Sequence, residues 1–144
     1  LYGPNEPSGE KQKVVGGLIE KIMNAHLNNK PEVYLWGTGY ARRELLYVED
    51  AAKGVINALK QYHNSETPIN LAAKTDYSIR EIAEIIKKVV GYEGELIWDV
   101  TAPEGQHSKK LSSERSRFLL SPYESTSLEE GIKYCLDAKY STIT

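Results

Sequence analysis

The chain has 144 residues, 40% of them hydrophobic and 26% charged, with a formal net charge of −2. This is the composition of one soluble globular domain, and it excludes a global basic field for nucleic acid or membrane surfaces. Cys135 is the only cysteine, which excludes an internal disulfide and a cysteine-built metal site; no apolar run is long enough to span a membrane or looks like a signal peptide.

Residues 1–13, rich in Gly, Pro and polar types, read as a loop that begins at a strand end. Val14, Val15, Leu18, Ile19, Ile22 and Met23 then recur at helical spacing and predict an amphipathic helix to about Leu27. Gly16 and Gly17 weaken its first turn by ~1 kcal/mol each relative to Ala, which suggests a close backbone approach there. Residues 32–36 (EVYLW) and 43–48 (RELLYV) predict two strands joined as a β-hairpin by the turn GTGYA. Asp50 is the expected start of a helix whose apolar face is Ala51, Ala52, Val55, Ile56 and Leu59. After a polar loop, residues 69–73 (INLAA) read as a short buried strand.

Ser78 followed by Glu81 is a capping box. It opens a helix carrying Ile79, Ile82, Ala83, Ile86, Val89 and Val90, and Gly91 is its natural stop. Residues 94–100 predict a strand, 101–110 a polar loop ending in Lys109 and Lys110, and 112–120 a short helix. Ser127 with Glu130 predicts a last capped helix with Leu128, Ile132, Cys135 and Leu136 on one face; the tail 139–144 is expected to fray. Helices interleaved with a few short strands give an α/β or α+β domain with too few strands for a self-sufficient doubly wound sheet.

Few stretches carry chemistry. Gly37-Thr38-Gly39 lacks the third glycine of a dinucleotide fingerprint, because Arg42 occupies that position, and no phosphate-binding P-loop motif exists. Glycines that supply a hairpin turn are the better reading. Arg43 presents a planar fork of donors that matches phosphate oxygens two at a time, with Trp36 as an apolar plate nearby. The competing reading pairs Arg43 with Glu44 or Asp50 at the surface, for under ~1 kcal/mol. Lys109 and Lys110, beyond Gly105, either close over an anion or are solvated surface. His26, His63 and His107 show no metal-ligand spacing.

Read together, LYGPN, VYLWGTGYARRELLYVEDAA, INLAA, YSIREIAEIIKKVVGYEGEL, PEGQHSKK and SLEEGI resemble the C-terminal half of the extended short-chain dehydrogenase/reductases that act on nucleotide sugars. The resemblance runs from Leu1 to about Tyr134 and is most specific over Trp36–Asp50 and the helix after Ser78. It implies an α/β fold in which a small α+β substrate domain is joined by a few elements of the Rossmann-like domain. It implies that residues 1–144 are the substrate-binding C-terminal portion of a longer enzyme. It favours a GDP-sugar, the reaction being epimerisation of GDP-4-keto-6-deoxymannose and reduction to GDP-fucose. A UDP- or dTDP-sugar epimerase or dehydratase, and a non-catalytic nucleotide- or partner-binding module, are the alternatives.

The resemblance also assigns roles. Arg43 falls where the family grips the sugar-nucleotide diphosphate, and Lys21 and Lys109 where basic residues reach the same phosphates. Trp36 falls on a substrate-contacting tryptophan, and Val14 and Leu18 on apolar positions beside the base. Lys13 stands, across a one-residue gap, where the family has a histidine that protonates carbon. Ala72 and Ala73 replace family glycines, and His107-Ser108 precedes the loop lysine in place of Pro-Arg. The family's NADP or NAD is bound by a glycine-rich strand–turn–helix and served by a Tyr-x-x-x-Lys pair. Here no tyrosine is followed four residues later by lysine, so both features are expected in a missing N-terminal portion. The intact protein is expected to be a cytoplasmic homodimer, with no nucleic acid, membrane or metal partner.

Overall fold

The computed structural model describes residues 1–7, 9, 12–63, 66–120 and 125–141. Among the described residues ten elements follow one another. They are α1 (Val14–Leu27), β1 (Glu32–Trp36), β2 (Arg42–Glu44), α2 (Val48–Gln61), β3 (Asp76–Ser78), α3 (Ile79–Val90), β4 (Glu95–Asp99), β5 (Ser108–Lys109), α4 (Glu114–Leu119) and α5 (Leu128–Tyr140). The mixture is α/β, and the core lies where α1, α3 and α5 meet the inner face of β1. Ile22, Ile82, Ile86 and Ile132 are fully buried there and Leu35 nearly so. Each such side chain contributes about 1.5–3 kcal/mol relative to exposure.

The helices start for local reasons. Ser78 Oγ accepts the Glu81 amide and Glu81 reaches back to the Ser78 amide, completing the expected box. Gly91 closes α3 in the left-handed region at φ 73°. Ser127 Oγ accepts the Glu130 amide at the head of α5, which runs through Lys139 and Tyr140; residues 142–144 of the tail lie outside the described residues. The head of α1 is capped from a distance. The Glu6 carboxylate accepts the amides of Lys13 at 2.8 Å and Gly16 at 3.1 Å. A Cβ on Gly16 would stand 2.7 Å from Glu6 Oε2, so it is a carboxylate, not another backbone, that needs this glycine.

The strands pair differently from expectation. β1 and β2 form no hairpin. β1 pairs in parallel with β4, from Glu32 opposite Glu95 to Trp36 opposite Asp99. β2 is the centre of a second sheet, antiparallel to β3 and parallel to β5. Gly37 (φ 75°) and Gly39 (φ 76°) do make a tight turn, but it carries the chain from one sheet to the other. Residues 69–73 form no strand, and β3 and β5 lie in segments that lacked a strand signal. These strands are two or three residues long, below the length at which alternation can be read.

Helix α2 starts at Val48, two residues before Asp50. Asp50 is 1% exposed and is a tether, accepting the Thr126 amide at 2.7 Å and the Thr126 hydroxyl at 3.1 Å. Val55, Ile56 and Leu59, the expected inner face of α2, are exposed.

Candidate substrate-binding site

The β3–β2–β5 sheet sorts its charges by the alternation of side chains along a strand. Arg42 stands opposite Ser78 on one side and Ser108 on the other, while Arg43 stands opposite Tyr77 and Lys109. On the Arg42 face the Asp76 carboxylate is shared. Arg42 Nε reaches Asp76 Oδ2 at 2.5 Å, Lys110 Nζ reaches Oδ1 at 3.2 Å, and Glu81 lies 3.5 Å from the Arg42 guanidinium. The Arg42 guanidinium, and then the Lys110 ammonium, hold the Asp76 carboxyl below the usual carboxylate range. The Ser78 amide, and then its hydroxyl, lower Glu81 in the same way.

The other face carries Arg43 and Lys109. Arg43 donates through Nη1 to the Arg42 carbonyl at 2.7 Å. Among the described residues no carboxylate lies within ion-pair distance of Arg43 or Lys109. The surface pairing of Arg43 with Glu44 or Asp50 is not formed. Glu44 accepts the Leu111 amide, and Asp50 is taken by Thr126 and Lys53. Gly105 lies against Arg43, since a Cβ there would be 3.4 Å from Nη2. Adjacent strands thus bring Arg43 and Lys109 to one sheet face, about 5 Å apart at the backbone. Lys110, one residue on, is spent on Asp76.

Trp36 leads into the crossover that ends at Arg42. Its ring is exposed, with the Lys21 ammonium 5.3 Å from its centroid. Lys21 and Trp36 are therefore brought together at the end of the crossover opposite Arg43. Glu104 bridges the two ends: it accepts the Thr38 hydroxyl at 2.6 Å and packs on Gly37, while the next residue touches Arg43. Val14 is half-buried beside the core. Leu18 is 7% exposed and packs within the core cluster. Lys13 is exposed at the head of α1 and lines a separate cleft of about 230 Å³ with residues 1–7 and Val48. Its amide donates to Glu6 and its carbonyl accepts the Gly17 amide, while among the described residues no partner engages its ammonium.

Residue-by-residue reading of the sequence missed Arg80. It occupies the second position of α3, where helical periodicity marks it only as non-core. Its guanidinium carbon lies 4.7 Å from the Trp98 ring and 5.4 Å from the Tyr40 ring, and Nη2 donates to the Thr38 carbonyl at 3.0 Å. No local sequence signal announces an arginine held between two rings from distant segments.

The Gly37–Gly39 turn does not have the shape of a dinucleotide cradle. Gly37–Gly39 leads into a strand rather than a helix, and the Trp98 ring covers Gly39 closely enough that a Cβ would meet it at 2.6 Å. Among the described residues no group of His, Cys, Asp and Glu could hold a metal ion, and no helix is long and apolar enough to cross a membrane.

Residues 1–72, which contain all the proposed ligand contacts except Lys109, match the model described as the NAD dependent epimerase/dehydratase family. GDP-L-fucose synthase 1 of Arabidopsis thaliana is 39% identical over 116 residues, covering 80% of this chain and 36% of that protein. GDP-L-fucose synthase of Escherichia coli K12 is 35% identical over 143 residues, covering 92% of this chain and 44% of that protein. The crystal structure of a GDP-L-fucose synthetase from Naegleria fowleri bound to NADP superposes with a TM-score of 0.88 at 27% identity, covering 98% of this chain and 44% of that one. The chain thus spans from 36% to 44% of the length of these relatives.

Proposed function

The chain belongs to the NAD-dependent epimerase/dehydratase family, and from that premise we propose that it is the sugar-nucleotide-binding portion of an NAD(P)-dependent epimerase/reductase of the GDP-L-fucose synthase kind. Its substrate is a GDP-linked keto-sugar. The observation that carries this reading is the Arg43–Lys109 pair: two cations side by side on one sheet face, without a carboxylate among the described residues. A diphosphate brings about two negative charges, and each charge-assisted hydrogen bond to it contributes ~1.5–3 kcal/mol. The guanidinium fork takes two oxygens of one phosphate, and the lysine acts as a point charge on the other.

Trp36 supplies an apolar plate that carries the Lys21 cation over its ring. Val14 extends the wall. Lys13 is the proton donor in place of the family's histidine; Glu6 engages its backbone amide, and among the described residues nothing engages its ammonium. Hydride transfer and the tyrosine–lysine pair belong to another part of the enzyme, where the NAD(P) is held. This chain binds and orients the sugar nucleotide and is inactive by itself.

Calorimetric titration of the whole protein with GDP, UDP and dTDP tests the reading. GDP is expected to bind most tightly. A preference for UDP or dTDP would reassign the substrate within the family, and no binding of any nucleotide would leave a non-catalytic module.

A further inference from the structure

The crossover from Gly37 to Ala41 sets where Trp36 and Arg43 stand relative to each other, and three of its carbonyls, those of Thr38, Gly39 and Ala41, are held by the first two residues of α3. The Ile79 amide donates to the Ala41 carbonyl at 3.0 Å, and the Arg80 amide to the Gly39 carbonyl at 2.9 Å. The Arg80 side chain adds its bond to the Thr38 carbonyl. The first amides of a helix lack partners within it, and here the crossover supplies them. From the opposite side, the Asp99 carbonyl accepts the Gly37 amide and Trp98 fills the space beside Gly39.

Arg80 is the only member of this set that joins both sides. Its guanidinium is flanked by Trp98, from β4 of the first sheet, and Tyr40, from the crossover itself. Among the described residues Arg80 Nε, which is buried, has no hydrogen-bond partner. Among the described residues no carboxylate pairs with the guanidinium. A buried donor left unpaired is destabilising, and an arginine is not needed merely to fill space between two rings. What a planar cation does here that an aliphatic side chain would not is stack on both ring faces while holding the carbonyl of Thr38.

We infer that Arg80 is a positioning residue for the diphosphate-binding face: clamped by Tyr40 and Trp98, it fixes the crossover and so holds Trp36 and Arg43 at the spacing one nucleotide diphosphate requires. This rests on the function proposed above. It adds a residue that touches no ligand atom and acts through the loop between two residues, Trp36 and Arg43, that contact the sugar nucleotide.

The test uses the whole protein with GDP and NADPH as separate titrants. Arg80→Lys keeps the charge and loses the planar fork; Arg80→Gln loses both. Each is expected to weaken GDP binding about tenfold or more and leave NADPH affinity unchanged, with lysine failing to rescue. Tyr40→Leu removes one plate of the clamp at an exposed position and is expected to weaken GDP binding by a smaller factor, which covers the case in which the Arg80 variants do not fold. GDP binding that stays at the wild-type level in folded Arg80 variants, or in Tyr40→Leu, overturns the inference. So does an equal loss of GDP and NADPH affinity, the mark of general destabilisation. Arg43→Ala is the control: if it also leaves GDP binding intact, the site itself is misassigned and both proposals fall. If it weakens binding while the Arg80 variants do not, only the clamp fails.

Discussion

Arg43 and Lys109 stand opposite each other on adjacent parallel strands, so their side chains leave the sheet on the same face although 66 positions separate them in the chain. Two cations so placed, with no carboxylate between them among the described residues, repel until an anion arrives. Arg43→Ala is expected to weaken GDP binding by ~2–3 kcal/mol, and Lys109→Ala by ~1–2 kcal/mol. On the proposal that both grip one diphosphate, the double variant should depart from additivity by more than ~0.5 kcal/mol. A calorimetric double-mutant cycle measures this. Strict additivity would place the two residues on separate ligands.

Gly39 and Gly91 both adopt positive φ, at 76° and 73°, yet only one is crowded. A Cβ at Gly39 would sit 2.6 Å from the Trp98 ring, while at Gly91 it would meet nothing within 4 Å. Gly91→Ala should cost only the left-handed strain, ~1–2 kcal/mol. Gly39→Ala adds displacement of the ring, a further ~1–3 kcal/mol. Urea unfolding compares the two, and equal losses would show that Trp98 moves aside freely.

Asp76 links stability to pH. Its folded pKa is lowered by Arg42 and then by Lys110. A lowered folded pKa means that the contribution is fully present above the unfolded carboxylate value of about 4 and is lost as pH falls through the folded one. Wild-type protein should therefore lose stability progressively below about pH 5, and Asp76→Asn should show a shallower acid slope. Urea midpoints between about pH 3 and 6 read the difference. Parallel slopes would mean that the Arg42–Asp76 contact contributes nothing in solution.

Cys135 is buried in the core against α1 and α3, and burial, with a smaller effect from Glu6, pushes its thiol up to about 11. Thiolate is therefore scarce at neutral pH, and a disulfide reagent such as Ellman's should react only as fast as the fold opens. Rapid labelling of the native protein would contradict the placement of α5.

Ser78 closes a box on which both α3 and the crossover depend. Ser78→Ala is expected to cost ~1 kcal/mol of stability, within a range of about 0.5–2, measured by thermal unfolding.

The sequence by itself determined the features that depend on neighbours three or four residues apart. The start of α3 at Ser78 and Glu81, its stop at Gly91, the periodic faces of α1 and α5, and the family resemblance could all be read before any coordinates. It did not determine strand pairing. β1 and β2 looked like a hairpin because they are adjacent in the chain, yet β1 takes β4 and β2 takes β3 and β5. Pairing is a contest among distant segments for the same hydrogen bonds, and local pattern carries no record of the winner. The resemblance singles out Arg43 over Arg42, but the physical reason for the difference lies in the fold: alternation across the sheet sends Arg42 to Asp76 and leaves Arg43 on the other face beside Lys109. The same limit hid Arg80, whose place follows from Tyr40 and Trp98 meeting across two sheets. Short-range order is written in adjacent residues, whereas the site is a meeting of segments that only the folded chain brings together.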